Sequence, residues 1–139
     1  MKIAGAWLDR PATQAMCAAL QAGGYRIFFV GGCVRNALLG EAVGDLDLAT
    51  DALPDEVVRL AEAAGFKAIP TGIDHGTVTV LAAGLAHEIT TFRRDVRTDG
   101  RHAVVAYSSD IAQDAARRDF TMNALYADPT GQVVDPLGG

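Results

Sequence analysis

The chain has 139 residues, 50% of them hydrophobic and 21% charged, which suits one domain with its own core and excludes disordered and fibrous classes. No apolar run approaches the roughly 18 residues that cross a bilayer, and the N-terminus carries no secretory pattern, so a cytoplasmic setting and no membrane partner are expected. The net charge of −5 argues against a nonspecific nucleic-acid binder, yet six of the ten arginines fall between Arg93 and Arg118 and only Lys2 and Lys67 are lysines. Arginine is the side chain suited to bidentate phosphate contacts. Cys17 and Cys33 have neither metal-ligand spacing nor a disulfide framework around them.

Taken in chain order, Pro11 opens a helix over Ala12 to Gln21 that Gly23-Gly24 ends. Tyr25 to Val30 is a short apolar and aromatic run, read as a buried strand. Gly31-Gly32 breaks it, and Cys33 to Leu39 suits a short helix closed by Gly40. Val43 to Ala49 alternates, with Asp45 and Asp47 on one face and Leu46 and Leu48 on the other, which is the period of a strand. Pro54 starts a helix to about Ala64, and Phe66 to Ile69 is a short strand. Thr77 to Leu81 and His87 to Phe92 read as two strands of a hairpin turning at Gly84. Arg93 to Ala103 is polar and charged and reads as a mobile loop. Ser109 caps a helix from Asp110, Arg117 to Tyr126 reads as helical, Asp128 to Gly131 as a turn, and Gln132 to Val134 as a last strand. The sum is an α+β fold: one mixed, mostly antiparallel sheet of about five strands flanked by helices.

Several of these residues suggest chemistry. A strand that ends in Gly31-Gly32 and opens a helix presents backbone N–H groups to an anion, with Arg35 one turn on, although glycine pairs are also ordinary turns. Asp45 and Asp47 project from one strand face about 7 Å apart. Their mutual repulsion calls for a cation or a proton, and magnesium suits such oxygen donors; an outward-facing edge strand would look the same. Glu88 faces the side opposite Ile89 and can lie beside the strand of Asp45, where a third carboxylate would complete a metal shell; alone it reads as an exposed glutamate. In Arg117 to Leu125, Asp119 and Asn123 share a helix face that suits a triphosphate and a ribose, or equally a solvated surface. His75 sits at a turn before a strand, where pinning the turn is a simpler role than general base. Cys33 has no partner for nucleophilic work and reads as a packing residue.

Read together, the pieces resemble one family. Val30-Gly31-Gly32-Cys33-Val34-Arg35-Asn36-Ala37-Leu38-Leu39-Gly40 followed by Gly44-Asp45-Leu46-Asp47-Leu48-Ala49-Thr50 resembles the glycine-pair and double-aspartate signature of polymerase-beta-like nucleotidyltransferases. The wording is that of the bacterial-type (class II) CCA-adding tRNA nucleotidyltransferases and bacterial poly(A) polymerases. His75-Gly76-Thr77-Val78, Glu88-Ile89-Thr90-Thr91-Phe92-Arg93 and Arg117-Arg118-Asp119-Phe120-Thr121-Met122-Asn123-Ala124 follow in the family's order. Asn36 departs from the aspartate common there, and the loop around Asp99-Gly100-Arg101 lacks the family's preceding tyrosine and following proline.

The resemblance implies the polymerase-beta-like fold and transfer of nucleotides from ATP or CTP to an RNA 3′ end, that of tRNA in particular, by two-metal catalysis. It implies that Asp45 and Asp47 bind two magnesium ions and that Glu88 is the third catalytic carboxylate. Gly31, Gly32 and Arg35 would then contact the triphosphate, and Arg118, Asp119 and Asn123 its phosphates and ribose. Residues 1–139 are expected to be the catalytic head, with the neck, body and tail of the family absent. CCA addition and poly(A) addition stay undivided, because the base-selecting residues of the family lie in the neck. The alternative is a module that binds nucleoside triphosphate and magnesium without turning over.

Overall fold

The computed structural model describes residues 3, 6–39, 46–72, 76–82, 84–98, 103–108, 110–116 and 125–134. A short helix α1 (Ala6–Asp9) leads into α2 (Pro11–Ala22), where proline occupies the first turn and needs no N–H partner. Thr13, Met16, Cys17 and Leu20 are the buried positions of α2, a stripe at helical spacing that docks on a sheet. Strand β1 (Ile27–Val30) runs into α3 (Gly32–Leu38), and β2 (Leu46–Thr50) precedes α4 (Pro54–Ala63). Helix α4 also starts on proline, carries Asp55 and Glu56 in its first turn, where the helix dipole favours acids, and buries Val57 and Ala61. Then come β3 (Lys67–Gly72), β4 (Thr77–Ala82), β5 (Leu85–Thr91), β6 (Arg93–Thr98), β7 (Ala103–Tyr107), α5 (Ile111–Ala116), β8 (Tyr126–Ala127) and β9 (Val133–Val134).

Among the described residues the main sheet has seven strands in the order β3-β4-β5-β2-β1-β8-β9, not about five, and β6 and β7 form a separate two-stranded ribbon. The sequence misses β8 because it is two residues long, and Tyr126 belongs to that strand rather than to a helix. Residues 117–124 of the expected helix, Gly40, residues 43–45 of the expected strand and Ser109 lie outside the described residues. The stretch after Arg93, expected to be a loop, is instead an antiparallel ribbon pairing Arg93 with Tyr107 and Thr98 with Ala103. The cap of α5 falls on Asp110, whose carboxylate accepts the Ala112 N–H at 2.9 Å.

The sheet is mixed and mostly antiparallel, as expected: β2 and β5 pair in parallel, while all its other pairs are antiparallel. Its two faces carry different cores. Ile27, Phe29, Leu46, Leu48, Val78, Val80 and Ile89 point to the side covered by α2 and α4 and form the larger core with Met16, Leu20, Val57 and Ala61. On the other side Val30, Ala49, Phe92 and Tyr126 meet Ala115 of α5 in a smaller aromatic cluster, with Phe28 against it. This second cluster covers the β8-β1 end of its face. The β4-β5 end carries Thr77, Thr79, Glu88 and Thr90, none of them buried.

The N-terminal segment closes over the β8–β9 hairpin. The Ile3 N–H donates to the Gly131 carbonyl at 2.8 Å, and the Gln14 amide donates to both Leu8 O at 2.7 Å and Pro129 O at 2.8 Å. Gly131 has φ 92°, and a Cβ there would clash with the Ile3 carbonyl oxygen. Only glycine satisfies both the left-handed backbone and the close approach.

Candidate functional site

Asp47 lies in β2 between buried Leu46 and Leu48, and Glu88 lies in β5 between buried His87 and Ile89; both acids are exposed. The period of a strand sends both away from the main core. The parallel pairing puts them in register, Asp47 against Glu88, with Leu46 against His87 and Leu48 against Ile89. On the far side of β5, Thr79 is in register with Glu88 and Thr77 with Thr90. The Thr77 and Thr90 hydroxyls are 3.0 Å apart and hydrogen bonded. Asp47, Glu88 and Thr79 therefore form one row across three strands.

Neighbouring strands are about 4.8 Å apart, so the row brings two carboxylates side by side at the surface. Like charges so placed favour a cation between them. Hard oxygen donors on an open face are the chemistry of a magnesium site that keeps positions for water and phosphate. The donor set thus fits the ion that the resemblance implies. Among the described residues no group of three or more His, Cys, Asp or Glu forms, and Asp45 is not one of them.

The glycine turn lies beside this row. Strand β1 ends at Val30, and Gly31 takes φ 77° and ψ −133°, a conformation for residues without a Cβ, before α3 begins. Among the described residues nothing lies within 4 Å of where its Cβ would be. Helix α3 is held against β2 by Cys33, whose Sγ donates to Val30 O at 3.4 Å and approaches Asp47 O at 3.8 Å. That contact sets the first turn of α3 next to Asp47. Burial pushes the Cys33 thiol up, which suits packing rather than nucleophilic attack. Arg35 is exposed, and its Nε donates to Asn36 Oδ1 at 3.5 Å.

The structure thus brings Asp47 and Glu88 to one face of the sheet and sets the Gly31-Gly32 turn at the end of the neighbouring β1, with Arg35 on the helix that follows. Asp45, Arg118, Asp119, Asn123 and His75 lie outside the described residues.

Two buried polar residues gave no sign of themselves in the sequence. His87 is 0% exposed, on the opposite face of β5 from Glu88. Its Nδ1 faces the carbonyls of Leu85 at 3.0 Å and Val80 at 3.3 Å. Two acceptors there assign the proton to Nδ1, so Nε2 accepts the Thr13 hydroxyl at 2.8 Å. Burial holds the His87 pKa below its ordinary value, against the opposing pull of the two carbonyls. Asp114 of α5 is 1% exposed and accepts hydrogen bonds within the aromatic cluster from the Arg93 N–H at 3.0 Å and the Tyr126 hydroxyl at 2.5 Å.

A family model described as the poly(A) polymerase head domain matches residues 27–139. The chain is 48% identical over 118 residues to a CCA-adding enzyme of Geobacillus kaustophilus (strain HTA426), covering 84% of this chain and 28% of that one. It is 45% identical over 122 residues to one from Geobacillus sp. (strain WCH70), covering 86% and 29%. The chain therefore spans less than a third of the length of these curated relatives. Among solved structures it is similar to the Bacillus stearothermophilus CCA-adding enzyme in complex with CTP, at TM-score 0.77 and 42% identity over 92% of this chain and 30% of that one. It is also similar to a tRNA nucleotidyltransferase complexed with a primer tRNA and an incoming ATP analog, at TM-score 0.67 and 29% identity over 89% and 35%.

Proposed function

We propose, since this chain belongs to the poly(A) polymerase head-domain family, that it is the catalytic head of an enzyme that adds nucleotides from CTP and ATP to the 3′ end of tRNA. The observation that carries the reading is the register pairing of Asp47 with Glu88 beside the Gly31 turn. The names of the relatives at 45–48% identity favour CCA addition over poly(A) addition. Transfer to tRNA sets the work in the cytoplasm, and among the described residues no helix is long and apolar enough to cross a membrane.

Asp45, Asp47 and Glu88 would hold magnesium at the end of β2 and the middle of β5. When bound, magnesium supplies two things: it acidifies the RNA 3′-hydroxyl and it neutralises charge on the departing pyrophosphate. The protein's own part is placement. The open glycine turn allows a triphosphate to approach the backbone without meeting a side chain. Arg35 supplies a positive fork on the adjoining helix. Arg118, Asp119 and Asn123 would contact the phosphates and ribose. The new phosphodiester forms as the 3′-oxygen attacks the α-phosphorus and pyrophosphate leaves, with the hydroxyl proton passing to solvent or a carboxylate.

The test is an extension assay with magnesium, labelled CTP or ATP, and tRNA lacking its terminus. Extension above Asp45→Ala and Asp47→Asn controls supports the reading, and equal extension of a generic RNA would favour poly(A)-type addition. Metal-dependent triphosphate binding without extension supports the second reading, a binding module.

A further inference from the structure

Asp114 is a carboxylate set in an aromatic cluster. Tyr126 stands edge-on to Phe28 and to Phe92, with ring centroids 6.2 and 6.5 Å away, and Phe28 and Phe92 stack at 6.2 Å. A charged group is costly in such surroundings unless its oxygens are bonded, and an apolar side chain would serve packing at least as well. Each oxygen of Asp114 has a bond: Oδ1 accepts from the Arg93 backbone and Oδ2 from the Tyr126 hydroxyl.

These two donors belong to separate elements, one in the main sheet and one in the ribbon that leaves it. Tyr126 is on β8, and Arg93 opens β6 directly after the end of β5. In the sheet, β2 and β1 lie between β5 and β8. One carboxylate therefore spans the strand of Asp47. It does so on the face that Asp47 and Glu88 share, because Ala49, two residues beyond Asp47, belongs to the same cluster. Phe92 is fixed a second time by its N–H, which donates to Thr50 O at 2.8 Å at the end of β2.

We propose that Asp114 is a positioning residue for the carboxylate pair: by joining β8 to the end of β5 across β1 and β2, it fixes the spacing of Asp47 and Glu88. The proposal rests on the reading of that pair as a metal site. An anchor of this kind lets the sheet keep two like charges adjacent before a metal arrives, so that the ion meets a preformed site.

The experiment is a manganese titration of this chain followed by electron paramagnetic resonance, with MnCl2 as the only probe. Wild type, Asp47→Asn, Tyr126→Phe, Asp114→Asn, Glu88→Gln and the double variant Asp114→Asn/Glu88→Gln are compared well below their melting temperatures. Tyr126→Phe keeps the ring and removes only the hydroxyl, so it breaks the same link with the packing and the carboxylate left in place. Tyr126→Phe and Asp114→Asn are expected to weaken manganese affinity about tenfold. Asp114→Asn should add nothing once Glu88→Gln is in place, because the spacing of the pair then no longer matters. Wild-type affinity in both single variants, with only a lowered Tm, would overturn the proposal and leave the metal site standing. An Asp114→Asn loss that persists undiminished in the Glu88→Gln background would also overturn it. A wild-type chain that binds manganese no better than Asp47→Asn would overturn the metal site itself, and the proposal with it. Failure of the site thus shows in the wild type, and failure of the proposal in the variants.

Discussion

The ring of His87 accepts the hydroxyl of Thr13 at 2.8 Å in the core, joining the first turn of α2 to the strand that carries Glu88. Because burial depresses the His87 pKa below 6.5 in the folded protein, the unfolded chain binds a proton more readily as pH falls through that value. Stability from this group is complete above pH 6.5 and declines below it. Melting temperatures followed between about pH 7.5 and 5.5 should fall toward the acid end. His87→Gln should melt lower throughout but with a flatter profile, and an unchanged slope in that variant would remove His87 as the cause.

Adjacent carboxylates on paired strands repel. Glu88→Gln, which removes one charge from the register pair, should leave the metal-free protein equally stable or slightly more so. The same variant should lose the rise in Tm that magnesium gives the wild type, and should lower nucleotidyl transfer by at least about a hundredfold. A destabilised metal-free variant would mean that Glu88 has a structural task.

Gly31 and Gly131 both hold a positive φ, but only one of them is crowded. Alanine at either carries backbone strain of about 1–2 kcal/mol. At Gly131 it also meets the Ile3 carbonyl and the Leu8 side chain, so Gly131→Ala should cost about 3 kcal/mol or more in urea denaturation. Gly31→Ala should cost less stability and weaken triphosphate binding, which Gly131→Ala should spare. The reverse pattern would show that the Gly31 turn is not a phosphate contact.

Both cysteines are buried and free. Burial pushes the Cys17 thiol up to about 12 and raises that of Cys33, so neither forms thiolate at neutral pH. A disulfide-exchange reagent should label both only as fast as the protein opens, with complete reaction in denaturant. Rapid labelling of one thiol in the native state would mark it as accessible.

The elements that the sequence discloses are those with a strong period or a clear stop. Pro11 and Pro54 mark the starts of α2 and α4, and alternation marks β4 and β5 with the turn between them. The ribbon of β6 and β7 is hidden because Arg93, Arg94, Asp95 and Arg97 break any apolar alternation. Strand β8 is too short to have a period. Period 2 also put Glu88 on the face opposite Ile89, as found. The strand of Asp45 and Asp47 is its neighbour, as expected, but local pattern does not give the register that sets Asp47 opposite Glu88. Parallel pairing is a tertiary choice, made by the crossover through α4, β3 and β4 rather than by β2 or β5. His87 and Asp114 look in the sequence like any polar residue on a strand or helix, because nothing local reveals that a polar group will be enclosed.

The parallel junction of β2 and β5 joins segments about forty residues apart, and contacts of that range form late because the loop between them must close first. A partly folded chain can hold a finished β4–β5 hairpin with Glu88 in place and still lack Asp47 beside it. Metal uptake would then serve as a clock: in a refolding experiment, manganese capture should mark the docking of that hairpin against β2, after the hairpin itself has formed.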